Sequence, residues 1–184
     1  MMESCITDIV KNGIPDAWNN PLTMQSMYSL ADKGFTKKVS WKIGAFGLGL
    51  FAEERILKGE VYRKYVDGKN MMVFHSEADI PPLTNSTKKY LSNYLFQTED
   101  ICAICIPGDS INHGDIDQAN TMGAKFADSN EIGLLGIATK DIDIGEELLL
   151  NYKDFGNPPD WLRDFARDRC ILEYMPFKGY NNFV

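Results

Sequence analysis

Apolar and polar residues alternate in short runs through most of the chain from Val39 to Tyr152, and glycines or turn-forming residues separate the runs. Alternation with a period of two is typical of half-buried strands. The predicted strands are "KVSWKIGAFGLGLFAEERI" (two strands around a glycine-rich bend), "GEVYRKYV", "MMVF" after the turn "VDGK", "NTMGAKFA", "IGLLGIAT" and "EELLLNY". Many short strands of varied spacing indicate one mostly β domain.

Three stretches show helical spacing instead. "NSTKKYLSNYLF" begins with an Asn/Ser cap and repeats apolar residues three and four positions apart, which predicts an internal helix. "PPDWLRDFARDRCILEY" opens with proline and aspartate and predicts a helix near the C-terminus. Its apolar stripe is Trp161, Leu162, Phe165 and Ala166. Within residues 1–36, "LTMQSMYSLADKG" predicts a short helix that Gly34 closes.

Composition sets the class of protein. The chain has 184 residues, of which 44% are hydrophobic and 24% charged, as in a single globular domain. No run approaches the roughly 20 apolar residues that span a bilayer, so we expect no contact with a membrane. "MMESCITDIVKNG" lacks the basic and apolar regions of a secretion signal, so we expect an intracellular protein, nuclear or cytoplasmic.

The net charge of −7 narrows the choice of partner. Proteins that bind nucleic acid need a basic surface for phosphate contacts, so direct binding to nucleic acid is not expected. An acidic surface suits a basic partner such as a Lys/Arg-rich peptide, although it can also serve solubility alone.

Cys102 and Cys105 form a CxxC, which is a weak signal for zinc or redox chemistry. They lie in a β-rich segment, and the sequence has no second CxxC or CxxH to complete a tetrahedral site. We therefore expect two buried strand thiols and no metal.

The glycine-rich stretch "GAFGLGLFA" places Gly47 and Gly49 on either side of Leu48. Glycines allow positive φ and close approach of a ligand to the backbone. A dinucleotide fingerprint would need a third glycine and a following helix, and both are missing. By itself the stretch predicts only a glycine-rich hairpin.

Two later stretches carry polar residues between strands. "SINHGDIDQAN" contains Asn112, His113 and Asn120 in a loop, where such side chains often satisfy backbone groups. "ATKDIDIGEELLLNY" contains a turn, an acidic pair and a strand that ends at Tyr152. Taken separately, the first is a surface loop and the second a surface hairpin with a core tyrosine.

In this order the three stretches resemble the SET-domain family of protein lysine methyltransferases. "GLGLFA" is similar to the family's opening "GxGLFA", and "INHG" followed by "AN" is similar to its "NHS" followed by "PN". "A-x-x-DI-x-x-GEEL-x-x-x-Y" is similar to its closing strand pair, and "I-x-x-GE" and "Y-x-x-G" join the first two motifs. The resemblance runs from about Gly44 to Trp161.

The resemblance implies a β-clip (SET) fold, with several small curved sheets, a pseudoknot and few short helices. It predicts residues 37–156 as the SET domain, residues 1–36 as a segment that packs on it, and residues 157–184 as a helical C-terminal segment. The family's zinc-binding cysteine tail is absent from the sequence, so no metal is expected there.

The resemblance also implies site roles, with S-adenosyl-L-methionine as cofactor and the target lysine entering from the opposite face. The backbone at Gly47, Leu48 and Gly49 would line the cofactor site. Asn112 and His113 would hold the cofactor's amino-acid and adenine ends, and Trp161 would cover the adenine, although packing on the sheet explains this tryptophan nearly as well. Tyr152 would lie near the reacting methyl group, and Tyr65 would form a second wall of the lysine channel.

The chemistry accounts for these residue types. Methyl transfer to an amine needs a neutral, aligned lysine about 3 Å from the methyl carbon. A tyrosine-walled channel removes water from the ammonium and so lowers its pKa, as does the nearby sulfonium charge. Positioning, rather than a strong base, would then supply most of the rate enhancement.

Four departures from the family pattern stand in the sequence. Gly114 replaces a serine, Ala119 replaces a proline, and the segment between His113 and Asn120 is two residues longer than usual. Where many members carry an aromatic that limits the number of methyl groups, this chain has "TMG" at residues 121–123. A roomier channel there predicts di- or trimethylation.

Three functions remain open on the sequence. The first is methyl transfer to a protein lysine, with a histone tail among the candidate substrates. The second is an inactive SET-like module that binds proteins, although such a module has no chemical need for Asn112, His113 and Tyr152. The third, a CxxC metal or redox protein, lacks the further ligands. The substrate and the oligomeric state stay open.

Overall fold

The computed structural model describes residues 2–20, 33–98, 101–106, 110–128, 131–154 and 160–169. Within these ranges the chain forms three α-helices: α1 (Met2–Asn12), α2 (Asn85–Tyr94) and α3 (Asp160–Asp168). The strands are β1 (Val39–Gly44), β2 (Gly47–Ala52), β3 (Val61–Val66), β4 (Met71–Phe74), β5 (Leu95–Thr98), β6 (Ile101–Cys105), β7 (Asn112–His113), β8 (Thr121–Asp128), β9 (Glu131–Ala138) and β10 (Leu149–Leu150). Short 3-10 helices span Asp16–Asn19, Glu77–Asp79 and Tyr152–Asp154. No helix in these ranges is long and apolar enough to cross a membrane.

The strands form three small sheets. β1 and β2 make an antiparallel hairpin, and β4, β6 and β5 make a three-stranded antiparallel sheet in that order. The largest sheet has the strand order β3-β9-β8-β10-β7. The predicted fold class, mostly β with several small sheets and few short helices, is confirmed.

The short strand β10 gives the largest sheet its unusual topology. It pairs in parallel with both β7 and β8, so it lies between two strands that are consecutive in sequence. The connection 114–120 between β7 and β8 therefore crosses over β10, which comes from a later part of the chain. This is the knot-like crossing that the resemblance implied.

The buried apolar residues form three core clusters. The first lies between the three-stranded sheet and the helices, and it contains Ile9, Ile14, Trp18, Met72, Phe74, Tyr90, Leu91, Cys102, Ile104, Ile106, Leu162, Phe165 and Ala166. The second contains Phe35, Val39, Leu50, Ala52, Ile56, Tyr62, Ile111, Ala138, Ile142 and Leu148. The third contains Tyr65, Met71, Ala103, Cys105 and Leu134. Three of the four predicted stripe residues of α3 belong to the first cluster, as their spacing indicates.

Strand β6 shows why the CxxC is not a ligand pair. Side chains alternate between the faces of a strand, so residues three apart point in opposite directions. Cys102 accordingly lies in the first cluster and Cys105 in the third, and both thiols are buried and unoxidised. Burial raises the pKa of the Cys102 thiol to about 12, which keeps it protonated and inert.

Some element bounds differ from the sequence predictions. α1 was not predicted, and its β-branched residues disfavour an isolated helix; the burial of Ile9 in the first cluster stabilises it. α2 ends at Tyr94 because the next residues pair with β6. Its N-cap is Thr84, whose hydroxyl accepts the backbone N–H of Thr87, rather than the predicted Asn or Ser. The predicted helix "LTMQSMYSLADKG" lies mostly outside the described residues.

The predicted strand "EELLLNY" is shorter than expected. Only Leu149 and Leu150 pair with the largest sheet, and Tyr152 begins a 3-10 helix. The preceding residues instead follow the hairpin, where Phe51 pairs with Glu147. The domain boundaries at residues 36 and 156 stay predictions.

The neighbouring residues Ile9 and Val10 test whether α1 is part of the folded core. Ile9 is 1% exposed and Val10 is 54% exposed. We expect Ile9→Ala to lower the free energy of unfolding by about 2–5 kcal/mol, because it leaves a cavity in the first cluster. Val10→Ala should change it by less than about 0.5 kcal/mol. Urea denaturation followed by circular dichroism measures both, and equal small effects would show that α1 does not stabilise the core.

Candidate functional site

The two glycines of the hairpin meet different structural needs. Gly47, the first residue of β2 after the turn, has a φ of +95°, which side-chain-bearing residues rarely adopt. Gly49 needs space: a Cβ there would lie 2.1 Å from Oε1 of Glu147. Between them, Leu48 presents its backbone carbonyl to the loop that carries Asn112.

Asn112 joins this loop to the hairpin. Its Nδ2 donates to the carbonyl oxygen of Leu48 at 3.1 Å and to Oε1 of Glu147 at 2.7 Å. Its backbone lies on β7, opposite Leu149 of β10. The side chain is half-buried, so both hydrogen bonds are shielded from bulk water.

His113 and Tyr152 contact each other at the chain crossing of β7, β8 and β10. The backbone N–H of Tyr152 donates to Nδ1 of His113 at 3.2 Å, and the two ring centroids are 5.4 Å apart. The Tyr152 hydroxyl donates to the carbonyl oxygen of Ile111, on the other side of Asn112. Because Nδ1 is an acceptor, the proton of the neutral imidazole resides on Nε2, which lies 3.6 Å from Oδ1 of Asp115.

Asn120 has a structural role. Its Oδ1 accepts the backbone N–H of Leu149 at 2.8 Å, and its Nδ2 donates to the carbonyl oxygen of Glu147 at 2.9 Å. It therefore fixes both sides of the chain entering β10, as the interpretation from turn chemistry suggested. The longer loop before Asn120 contains a turn. In this turn the backbone N–H groups of Gln118 and Ala119 both donate to the carbonyl oxygen of Asp115, each at 2.8 Å.

The structure thus brings together the glycine hairpin, Asn112, His113 and Tyr152, which the sequence separates by up to 105 positions. Tyr65 and Trp161 lie in other parts of the core. Tyr65, on β3, is buried in the third cluster, and its ring centroid is 6.5 Å from that of Phe96. Trp161, in the first turn of α3, packs against the first cluster. The roles implied for all these residues stay predictions.

A buried cation lies beside Tyr65. The Arg63 guanidinium is 4.4 Å from the Tyr65 ring centroid and 4.5 Å from that of Phe35. Lys33 is also buried, and burial, with the adjacent Arg63 charge, lowers its pKa to about 8.

Sequence reasoning missed Glu147. In the sequence Glu147 is one of an acidic pair, and in the structure its carboxylate contacts Asn112 and fills the space beside Gly49. The sequence signal that could have identified Glu147 is its position directly before the apolar run "LLL". A charge next to buried residues needs a partner. In the described ranges, no group of three or more His, Cys, Asp or Glu side chains is placed to hold a metal ion.

Comparison with known proteins assigns the family. A family model described as "SET domain" matches residues 47–153, more than half of the chain. No curated protein matches the chain significantly.

Two solved structures with a TM-score of at least 0.50 share the fold, and a third is similar at a lower score. The Polycomb Repressive Complex 2 of Chaetomium thermophilum bound to GSK126 is 26% identical with a TM-score of 0.50, covering 71% of this chain and 17% of that one. The same complex in an apo, autoinhibited state is 24% identical with a TM-score of 0.51, covering 73% and 17%. A candidate histone methyltransferase of Plasmodium falciparum is 22% identical with a TM-score of 0.45, covering 64% and 94%.

The chain thus spans about one sixth of the Polycomb chains and nearly all of the Plasmodium one. The match to the family model covers all three motifs, from the hairpin through the Asn-His loop to Tyr152. The chain belongs to the SET-domain family.

Proposed function

We propose that this protein transfers a methyl group from S-adenosyl-L-methionine to the side-chain amine of a lysine in a protein substrate. The observation that carries the proposal is the meeting of the glycine hairpin, the Asn-His loop and Tyr152 at one chain crossing. Membership of the SET-domain family supports the same reaction class.

The residues at the crossing fit the proposed cofactor. Both N–H groups of the Asn112 amide are engaged by the protein, so the amide oxygen is the group left to accept from an α-ammonium. The backbone at Leu48 and Gly49 lies beside it, His113 would hold the adenine end, and Trp161 is a candidate aromatic cover. The cofactor would supply a methyl group activated by a positively charged sulfur.

Tyr152 is placed to position the amine. Its hydroxyl donates to the Ile111 carbonyl, and this hydrogen bond fixes the direction of the hydroxyl oxygen as an acceptor. A lysine amine held by such an acceptor would direct its own lone pair elsewhere, toward the methyl carbon. Removal of water from the channel lowers the lysine pKa and supplies the neutral amine. Tyr65 would form the opposite wall.

The charge of the protein supports a basic substrate. A surface with a net charge of −7 attracts a Lys/Arg-rich segment and raises the rate of its association with the protein. A histone tail has this chemistry, and such a substrate would place the protein in the nucleus.

Cofactor binding is the first test. We expect isothermal titration calorimetry with S-adenosyl-L-methionine to give a Kd in the micromolar range, about −8 kcal/mol. Asn112→Ala should weaken binding, because it removes the only side-chain contact proposed for the amino-acid end. A folded protein that produces no heat of binding would contradict the proposal.

Methyl transfer is tested with labelled cofactor and a panel of histones and lysate proteins. We expect label on a lysine, and intact-mass analysis of a saturated substrate to show two or three added methyl groups. A Cβ built on Gly123, in the segment that replaces the family aromatic, meets no atom within 4 Å. A product with a single methyl group would contradict the roomier channel. Cofactor binding without any transfer would favour the inactive protein-binding module.

Tyr152→Phe separates positioning from binding. We expect turnover to fall by at least about 100-fold, because the amine loses its acceptor and the loop at Ile111 loses a hydrogen bond. The Kd for the cofactor should change little. Tyr94→Phe, which removes a hydroxyl from a tyrosine at the edge of the first cluster, serves as control and should leave turnover unchanged. Unchanged turnover in Tyr152→Phe would show that another residue positions the amine.

A further inference from the structure

The Glu147 carboxylate lies directly against the glycine hairpin. The backbone around it follows β2: Ala52 N–H donates to the Glu146 carbonyl at 2.9 Å, and Leu148 N–H donates to the Leu50 carbonyl at 2.7 Å. This pairing directs the half-buried side chain of Glu147 toward Gly49 and Gly44. A Cβ at Gly49 would lie 2.1 Å from Oε1, and a Cβ at Gly44 would lie 2.9 Å from Oε2. The carboxylate occupies space that only glycines leave open.

This carboxylate determines which way the Asn112 amide faces. Nδ2 of Asn112 meets two acceptors, the carboxylate and the Leu48 carbonyl. Rotation of the amide by 180° would place its oxygen against both of them, which is repulsive and breaks two hydrogen bonds. The bond to the ionised carboxylate is the shorter of the two and, being charge-assisted, the stronger.

Asn120 and Glu146 show that this arrangement is particular to Asn112 and Glu147. The amide oxygen and the amide nitrogen of Asn120 both form hydrogen bonds to the backbone of the chain entering β10. Glu146, one residue earlier, is exposed and accepts the backbone N–H of Asp143 within its own turn. Among these four side chains, Asn112 alone combines two engaged donors with an acceptor that remains for a ligand.

We propose that Glu147 is a positioning residue for cofactor recognition: it orients Asn112 so that the amide oxygen receives the α-ammonium of S-adenosyl-L-methionine. The inference rests on the proposed function. The cofactor's amino-acid end carries one group that donates, the ammonium, and one that accepts, the carboxylate. An amide fixed with its oxygen outward selects the ammonium, and the negative charge of Glu147 behind it favours that cation further.

The test compares two ligands on matched variants. 5′-Methylthioadenosine keeps the adenosine and the sulfur of S-adenosyl-L-methionine but lacks the amino-acid end. We expect calorimetry to show that Glu147→Ala lowers the affinity for S-adenosyl-L-methionine by about tenfold. This is the loss typical of one hydrogen bond to a charged group. The affinity of the Glu147→Ala variant for methylthioadenosine should stay within about twofold of that of the native protein, because this ligand lacks the amino-acid end whose contact is lost. Glu146→Ala, which removes the same charge one residue away, should leave both affinities unchanged.

A double-mutant cycle tests whether Glu147 acts through Asn112. In an Asn112→Ala background, Glu147→Ala should cost less than about twofold in affinity for S-adenosyl-L-methionine, because the oriented group is already gone. A further tenfold loss in that background would overturn the proposal. Glu147→Gln keeps the shape and an acceptor oxygen, so it serves if the alanine variant does not fold; we expect about a threefold loss for S-adenosyl-L-methionine and none for methylthioadenosine.

The outcomes separate this inference from the proposed function. If the native protein does not bind S-adenosyl-L-methionine, the proposed function fails first. If the native protein binds it and Glu147→Ala weakens both ligands equally, Glu147 merely supports the fold of the site, and this inference alone fails.

Discussion

The insertion of β10 between β7 and β8 is the constraint on which the rest of the site depends. Its two residues pair with Asn112 and His113 on one side, and Leu150 pairs with Thr121 on the other. A two-residue strand forms few backbone hydrogen bonds, so side chains supply further ones. Asn120 binds the backbone on both sides of Leu148, and the Thr121 hydroxyl donates to the Leu149 carbonyl at 2.9 Å. Because Tyr152 follows β10 by two residues, its position depends on the same pairing.

The polar side chains at the crossing form hydrogen bonds to other parts of the chain. A half-buried polar group without a partner is costly, which explains why Asn120 is wholly engaged by backbone groups. Asn112 donates both hydrogens of its amide to the protein, and the Tyr152 hydroxyl donates to the Ile111 carbonyl. These hydrogen bonds fix the directions of the Asn112 amide and of the Tyr152 hydroxyl.

Local patterns predicted the strands and the α3 stripe well, because period-two alternation and helical spacing reflect packing on a single face. They failed where a distant partner decided the outcome. α1 has weak helical propensity and is held by burial of Ile9, and α2 stops at Tyr94 because Leu95 pairs with Ile104 of β6. "EELLLNY" divides between the hairpin and the largest sheet, which no property of these seven residues indicates.

The sequence by itself determined the mostly β class, the family and the residue types of the site, since these follow from alternation and from three ordered motifs. The sequence also predicted that both cysteines of the CxxC are buried strand thiols, and the structure places them in separate core clusters. Only the tertiary structure decided that Gly49 makes room for Glu147, that Asn120 holds the chain while Asn112 keeps an acceptor, and that Arg63 covers one face of Tyr65. These outcomes depend on contacts between segments far apart in the chain, and hydrogen-bond direction and steric space exist only once those segments meet.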